Sequence, residues 1–308
     1  MPEMEKLDFK PVTAEDYERL YPYTSAYGEG SCQHSPVSMY ALYEKYGDAT
    51  AVSEGFLYVL RENLCDDAYR VYLAPLGGDE AALKEAYERI FADARAYGKK
   101  VKFLTLTQKH ADFLEEAFPG RFQKACERDL AEYVYDVKTL SQFPGKDFAK
   151  RRSEIRKFWR EYGEKAEISQ ITVLDFDELL TFSETWIYEN EETHDKEALS
   201  RELRDIRKLI AHYDELHLSG TVLRVDGKVE AFCIGSAIND QYYDIMIEKG
   251  VRDIPGVYRV VRQEDAKQRA LQFSYMNYEE DVGVPGIRQL KESYGPAFLL
   301  KKYVMTEQ

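Results

Sequence analysis

The predicted order of secondary-structure elements occurs twice along the chain, and this repeat restricts the fold more than any other feature. A short strand before Thr13 is followed by a capped helix, and the same pair recurs at Thr172. A meander of strands, a long helix, a buried strand, a second helix and a last strand then follow in each half. Equivalent positions lie 159 residues apart at Thr13 and Thr172, and 176 apart at Phe118 and Tyr294. Preserved order with growing offsets predicts an internal duplication with insertions in the second half.

Length and turn signals predict two α+β domains. The chain has 308 residues, so each half can bury a core of its own. Asp226-Gly227 and Asn239-Asp240 predict the turns of a three-stranded meander in the second half. We predict an N-terminal domain over residues 1–140 and a C-terminal domain over residues 141–308. Each should contain a mixed, mostly antiparallel sheet that is closed by the last strand of its own half.

The element order resembles the plan of the GCN5-related N-acetyltransferase fold. In that fold the fourth and fifth strands splay apart, and the acyl donor enters the gap between them. Strand edges inside such a gap are unpaired, so their backbone amides can hold a donor carbonyl or phosphate. The resemblance implies two tandem acyltransferase-like domains with splayed strands.

Charge and composition exclude several classes of protein. The net charge of −14 opposes general binding to nucleic acids or anionic membranes. No apolar run reaches the roughly 18 residues that span a bilayer, and the N-terminus lacks a signal-peptide pattern. The four cysteines are scattered, and the five histidines show no metal-ligand spacing. We therefore expect a soluble, cytoplasmic protein with no metal and no cofactor other than an acyl donor.

One segment is basic, although the chain as a whole has a negative net charge. Residues 146–160 hold seven cations and two acids, a local charge of +5, on a helix predicted over residues 145–162. Lys150, Arg151 and Arg152 are the candidates for binding a phosphate chain such as that of tRNA. The alternative is that these cations pair with the acidic surface of the first half. The apolar stripe expected to bury the helix comprises Phe148, Ile155, Trp159 and Tyr162.

Neither half has the glycine-rich turn that suits coenzyme A. A pyrophosphate needs bare backbone amides at a helix N-terminus. In the second half this place offers Gly256, but Val257 and Tyr258 follow and would crowd the pyrophosphate. The first half offers Gly77-Gly78, with an acidic pair at the start of its helix. We assign Arg252, Gly256 and Tyr258 to donor binding, and expect no acyl-CoA site of the usual kind.

Two segments carry a more specific resemblance. They are YVYDVKTLSQFPGKDFAKRRSEIRKFWREYG, and VLRVDGKVEAFCIGSAIND through EEDVGVPGIRQLKESYGPAFLLKKYV. Together they resemble a bacterial family that groups with the C-terminal domain of phosphatidylglycerol lysyltransferases. More remotely the chain is similar to Fem peptidyltransferases and to leucyl/phenylalanyl-tRNA–protein transferases. The most specific part is Gly-x-Arg-x-x-Lys-x-x-Tyr-x-Pro, which begins at Gly286.

This motif contains two of the three predicted catalytic residues, and the third, Glu280, lies just before it. Acyl transfer needs a charge that stabilises the leaving group, and acetyltransferases often use a Tyr on the helix after strand five. Lys291 stands at that place here, and Arg288 lies one turn before it. Glu280 precedes the helix and could accept an amine proton or hold an α-amino group. The alternative is a solvated face, on which Arg288 and Lys291 pair with Glu292 or Glu279 and the acidic residues form an exposed loop.

The resemblance implies an acyl- or aminoacyl-transferase with an aminoacyl-tRNA-type donor in the second domain and a small amine or hydroxyl acceptor. Two alternatives stay open. One is an N-acyltransferase that uses acyl-CoA through an atypical loop, and the other is a non-catalytic binding protein on the same fold. The acidic residues 184–202 could attract a cationic acceptor, or could form a solvated loop and helix start.

Overall fold

The computed structural model describes residues 6–190 and 196–308. Its helices are α1 (Tyr17–Tyr27), α2 (Pro36–Ala41), α3 (Tyr43–Tyr46), α4 (Glu80–Ala96), α5 (Gln108–Ala117), α6 (Val137–Gln142), α7 (Ala149–Tyr162), α8 (Phe176–Asn190), α9 (Lys196–Ala211), α10 (Val257–Arg269) and α11 (Pro285–Glu292). Its strands are β1 (Lys10–Pro11), β2 (Asp48–Ser53), β3 (Phe56–Arg61), β4 (Tyr69–Tyr72), β5 (Leu76–Gly77), β6 (Lys100–Leu106), β7 (Phe122–Cys126), β8 (Glu132–Asp136), β9 (Ala166–Gln170), β10 (Ser219–Val225), β11 (Lys228–Ala237), β12 (Tyr242–Gly250), β13 (Tyr275–Asn277), β14 (Phe298–Leu300) and β15 (Tyr303–Glu307).

These elements form two units, each built on one mixed sheet. The first unit runs up to Tyr133 and also takes Glu280–Gln289 and Leu299–Gln308. The second comprises Val134–Glu279 and Leu290–Phe298. The strand order is β1-β2-β3-β4-β6-β15-β7 in the first sheet, with β5 paired to β3, and β14-β8-β13-β12-β11-β10-β9 in the second. In each sheet a parallel pair, β4–β6 or β12–β13, follows an antiparallel meander. The predicted α+β fold of two acetyltransferase-like units is confirmed.

The last strand of each half lies in the sheet of the other half. The strand β8 pairs with β13 in the second sheet, and β15 lies between β6 and β7 in the first. The prediction that each sheet is closed by its own half is therefore wrong. Sequence order cannot reveal this exchange, because the local pattern of a strand is the same whichever partner it pairs with.

Capping residues and turn dipeptides in the sequence predicted the helix starts and turns that the structure shows. Thr13 and Thr172 each form a capping box, with Asp16 and Asp175 respectively, at equivalent places in the two units. Asp226-Gly227 has φ of +50° and +79°, as a tight hairpin between β10 and β11 requires. Glu54-Gly55 has φ of +51° and +76° and forms the same kind of turn between β2 and β3.

The predicted helix over residues 145–162 exists as α7, but its buried face differs from the prediction. Ile155 and Phe158 are the fully buried residues, whereas Trp159 and Tyr162 are half-buried and Phe148 precedes the helix. Phe158 contacts both Trp159 and Tyr162 through its ring. The buried stripe of α7 is therefore centred on Phe158 and not on Trp159. Among the described residues, no helix is long and apolar enough to cross a membrane.

Candidate functional site

Strands β12 and β13 of the second unit separate after a short parallel pairing. They pair only over Tyr242–Asp244 and Tyr275–Asn277, whereas β12 continues to Gly250. Beyond Asp244, β12 is paired on its other side with β11 only. The expected splay is present, and beyond Asp244 one edge of β12 has no partner strand among the described residues.

Arg262 of α10 joins the two splayed strands. Its guanidinium makes two hydrogen bonds, of 3.0 and 2.6 Å, to the carboxylate of Glu248 on β12. It also lies 4.7 Å from the ring centroid of Tyr278, just after β13, and 4.0 Å from that of Tyr294. Burial disfavours the charged guanidinium, but the Glu248 carboxylate together with Tyr294 and Tyr278 outweighs this effect, and the pKa of Arg262 is raised. The gap therefore contains a paired cation with aromatic walls.

The hydroxyl of Tyr278 is buried without a hydrogen-bond partner in the described part of the chain. Burial raises the pKa of this phenol well above its usual value, so the group stays protonated. An unpaired buried hydroxyl is unfavourable, and such groups are often satisfied by a ligand or a water. Tyr278 is therefore a polar group of the gap that the sequence analysis did not identify.

Lys291 lies at the same gap. It is half-buried, and its ammonium donates a hydrogen bond of 2.5 Å to the carbonyl oxygen of Tyr278. The backbone of Lys291 is in turn held by the hydroxyl of Tyr135, at 2.7 Å. The structure thus places the predicted catalytic cation beside the end of β13.

Arg288 has a different environment. It makes two hydrogen bonds to the carboxylate of Asp281, of 2.8 and 2.7 Å, and a third of 2.7 Å to Asp129. Asp281 is fully buried and also accepts from Arg128 at 3.2 Å and from Tyr133 at 2.6 Å. The Arg288 hydrogen bonds hold the pKa of Asp281 far below its usual value, against the effect of burial. Arg288 is thus the partner of a structural carboxylate within the first unit.

The acidic segment before α11 has a strained backbone. Val282 has φ of +45°, which a β-branched residue rarely adopts, and Glu279 has φ of +56°. Asp281 fixes the turn by accepting from the amide of Gly283 at 2.9 Å. Glu280 is half-buried beside it. The segment is a constrained turn rather than an exposed loop, and the role of Glu280 toward an amine stays a prediction.

Helix α7 covers the N-terminus of α10, where an acyl-CoA pyrophosphate would be expected. Glu154 of α7 pairs with Arg259 at 2.7 Å, and its backbone oxygen lies 3.3 Å from where a Cβ on Gly256 would be. Gly256 has φ of +91°, a conformation that favours glycine. The amides of Val257 and Arg259 already donate to Ile254 and Gly256 carbonyls. This helix start is therefore filled by protein groups.

The other residues assigned to donor binding are nearby in sequence but differ in exposure. Arg252 is exposed in the loop after β12. Tyr258 is half-buried, and burial raises its pKa, while hydrogen bonds with Gly250 and Trp186 oppose that rise. The role of Arg252 and Tyr258 in binding a donor stays a prediction.

The basic cluster of α7 divides into structural and exposed cations. Arg152 donates to the backbone oxygens of Phe143 and Gly145, and Arg151 donates to the hydroxyl of Ser293 at 2.7 Å. The Arg151 guanidinium also lies 4.4 Å from the ring centroid of Tyr294. The exposed cations of this segment are Lys146, Lys150, Arg156, Lys157 and Arg160. Of the three predicted phosphate contacts, only Lys150 is fully exposed.

The corresponding places of the first unit serve packing. A Cβ on Gly77 would lie 2.2 Å from the Gly55 oxygen, and one on Gly78 would lie 2.2 Å from the ring of Phe56. Asp79 caps α4 by accepting from the amide of Ala82 at 2.8 Å. A carboxylate there repels a phosphate.

On α5, the acidic residues at the positions of Arg288 and Lys291 are Asp112 and Glu115, and both pair with Lys124.

A family model described as "Phosphatidylglycerol lysyltransferase, C-terminal" matches residues 30–306 of this sequence. The chain belongs to this family. The match spans both units, whereas the resemblance in sequence was specific only in the second. It confirms the predicted family and an acyl- or aminoacyl-transferase-like fold, and leaves the donor and the acceptor to be identified.

Similar proteins of known structure share this fold. A conserved protein of unknown function from Bacteroides thetaiotaomicron is 27% identical, with a TM-score of 0.90 over 98% of this chain and 100% of that one. The C-terminal domain of a putative lysylphosphatidylglycerol synthetase from Agrobacterium fabrum is 15% identical, with a TM-score of 0.68 over 96% and 92%. FemX is 8% identical, with a TM-score of 0.65 over 98% of both chains. At these last two identities the likeness concerns the fold alone.

Among curated sequences, an uncharacterized protein of Mycoplasmoides gallisepticum is 25% identical over 173 residues. The aligned region covers 56% of this chain and 55% of the relative. The chain thus spans about half the length of the curated relative that it matches.

Sequence reasoning missed Arg262, Glu248 and Tyr278, which form the gap between the splayed strands. The sequence does contain a signal that could have identified Arg262. Arg262, Asp265 and Arg269 recur at helical spacing in α10, and all three are buried. Charged residues on the same stripe as Val257 and Val261 indicate a polar network beneath the helix.

Proposed function

We propose that the protein is an aminoacyltransferase that uses an aminoacyl-tRNA-type donor, with its reaction in the gap between β12 and β13 of the second unit. The observation that carries the proposal is the position of Lys291, whose ammonium is held 2.5 Å from the Tyr278 carbonyl where β13 leaves β12. Membership of the lysyltransferase C-terminal family supports the class of reaction.

In the proposed reaction an acceptor amine or hydroxyl attacks the carbonyl carbon of the aminoacyl ester. A new C–N or C–O bond forms, the ester C–O bond breaks, and the proton of the acceptor ends on the departing ribose oxygen. A positive charge stabilises that oxygen as its bond breaks, and this is the role we give to Lys291. The Tyr278 hydroxyl and the Arg262 guanidinium provide hydrogen-bond donors to the same gap.

The filled start of α10 favours this donor over acyl-CoA. Glu154 brings a backbone oxygen to the place that a pyrophosphate would need, and this oxygen would repel it, while its carboxylate already pairs with Arg259. The exposed cations of α7, such as Lys150 and Lys157, lie on the same helix and could bind a tRNA phosphate chain. An aminoacyl-tRNA donor also implies a cytoplasmic location.

The test uses total aminoacylated tRNA, with a bacterial small-molecule extract as the source of acceptors. Mass spectrometry would follow the loss of each amino acid from tRNA and the appearance of its adduct. We expect Lys291→Met, which keeps the stem but removes the charge, to lower the rate at least about 100-fold. Glu115→Ala, at the equivalent place of the first unit, should leave the rate unchanged.

Three outcomes would count against the proposal. Full activity of Lys291→Met would remove the residue from the mechanism. Activity only with a CoA ester would favour the acyl-CoA alternative. No turnover with either class of donor would favour a binding protein that kept the fold.

A further inference from the structure

A groove on the second unit has the lining of a site for an organic cation. It is a concave surface of about 470 Å³ between α8 and the start of β11. We call it the α8–β11 groove. The residues that matter to the argument are Phe182, Thr185, Trp186, Glu189, Lys228 and Glu230. Its volume lies in the range of ordinary small-molecule sites.

The aromatic part of the groove is held rigidly. The indole nitrogen of Trp186 donates to the Gly250 carbonyl at 2.9 Å, and the Lys249 ammonium lies 3.7 Å from the indole centroid. Phe182 packs edge-on against Phe232, with ring centroids 5.8 Å apart. Two fixed aromatic side chains thus give the groove an apolar floor, and one of them already contacts an ammonium.

The polar part of the groove consists mainly of hydrogen-bond acceptors. Glu189 is exposed and Glu230 half-buried, and neither carboxylate has an ion pair with another described residue. Burial raises the pKa of Glu230, although Lys228 opposes the rise. The Thr185 hydroxyl donates to the Thr181 carbonyl at 2.9 Å, so toward the groove its oxygen can only accept. Lys228 is the single cation among the described residues that line the groove.

A further carboxylate at the rim is already neutralised. Glu178 accepts from Arg224 at 2.7 Å and from the amide of Val229 at 3.2 Å. The groove therefore attracts a cation through the carboxylates of Glu189 and Glu230, two negative charges that exceed the one positive charge of Lys228. Acceptors beside an apolar floor fit a ligand that has an ammonium head and an aliphatic stem.

We infer that the α8–β11 groove binds an alkylammonium compound, with the aliphatic stem on Phe182 and Trp186 and the ammonium between Glu189 and Glu230. Diamines and the side chains of basic amino acids or peptides share this chemistry. The groove uses none of the residues assigned to transfer, so the inference holds whether or not the proposed function does.

Tryptophan fluorescence gives a direct test, because Trp159 and Trp186 are the two tryptophans of the chain. In a Trp159→Phe background, 1,5-diaminopentane at constant ionic strength should give a saturable change, with half-saturation on the order of 1 mM or below. The uncharged analogue 1,5-pentanediol should give a response at least several times weaker.

Charge variants locate the ligand. Glu189→Gln with Glu230→Gln should weaken binding severalfold, by up to about 25-fold, since each ion pair at such a site contributes up to about fivefold. Lys228→Met should tighten it severalfold by removing the competing cation. The matched control is Glu184→Gln on the same helix, because Glu184 pairs with Arg207 at 2.7 Å and does not line the groove.

The inference is overturned if the diamine gives no saturable signal, or if the diol binds equally well. It is also overturned if the double glutamine variant, shown to be folded by its circular dichroism, binds as well as the Glu184→Gln control. None of these results depends on transferase activity, so a failure here and a failure of the proposed function can be told apart.

Discussion

Replacement of Lys302 by Met should destabilise the first unit severely. Lys302 and Glu132 are both fully buried, and the ammonium lies 2.7 Å from the carboxylate. Glu132 also accepts from the Ser31 hydroxyl at 2.9 Å and from the Cys32 amide at 3.1 Å. Removing the cation leaves a carboxylate that is partly hydrogen-bonded but uncompensated in a dry interior. Breaking a buried pair in this way costs about 3–5 kcal/mol of folding free energy.

The measurement is urea unfolding followed by circular dichroism. With a slope of about 2 kcal/mol per M, the expected loss moves the midpoint down by about 1.5–2.5 M. The matched control is Lys301→Met, because Lys301 is the preceding residue and is exposed. It should change the free energy of unfolding by less than about 0.5 kcal/mol.

A double variant separates charge from packing. Glu132→Gln keeps an acceptor oxygen for the Cys32 amide, and its NH2 group can donate to the Ser31 hydroxyl, but it removes the charge that Lys302 balances. Combined with Lys302→Met, it should recover at least half of the lost stability. If Lys302→Met unfolds at the same urea concentration as Lys301→Met, the reasoning about the buried pair is refuted.

Three further predictions concern the donor, the basic helix and acid stability. Isothermal titration with acetyl-CoA should give no micromolar isotherm, because protein groups fill the start of α10; a clear 1:1 isotherm would contradict the proposed donor. Lys150→Ala with Lys157→Ala should flatten the salt dependence of tRNA binding by about 1.5 logarithmic units per decade of salt. Arg152→Ala, whose guanidinium caps backbone carbonyls, should instead lower the melting temperature and leave that slope unchanged. The pKa of Asp281 is lowered on folding, so its contribution to stability is complete above about pH 4 and is lost as the pH falls further. Asp281→Asn should therefore lose less stability than the wild type between pH 4 and pH 2, and identical losses would contradict this.

Features that depend on neighbours in sequence were predictable. The capping boxes at Thr13 and Thr172 arise within one turn, and Asp226-Gly227 sets its hairpin through backbone conformation alone. The order of the elements predicted a helix after the splayed strand, and alignment of that helix put Lys291 near the gap, where its ammonium contacts the Tyr278 carbonyl; its catalytic role stays a prediction.

Features that depend on distant partners were not predictable. Lys302 follows Lys301 in a sequence pattern typical of a surface, yet its partner Glu132 lies 170 residues away and both are buried. The charge of Arg152 predicted that it belongs to a phosphate-binding cluster. In the structure it binds the carbonyl of Phe143, which is free to accept because α6 ends there. The exchange of β8 and β15 is of the same kind, since it concerns pairing rather than propensity.

The exchange of these strands sets the order in which the nascent chain can fold. The neighbours of β15 in the first sheet, β6 and β7, are complete once Cys126 has been made, but Tyr303 is added 177 residues later. At about 5–20 residues per second, the ribosome needs roughly 10–35 s to supply the missing strand. During that time the edges of β6 and β7 have no partner between them, and aromatic residues such as Phe103 and Phe122 lack part of their cover. A chaperone that shields this edge during synthesis should therefore raise the yield of folded protein.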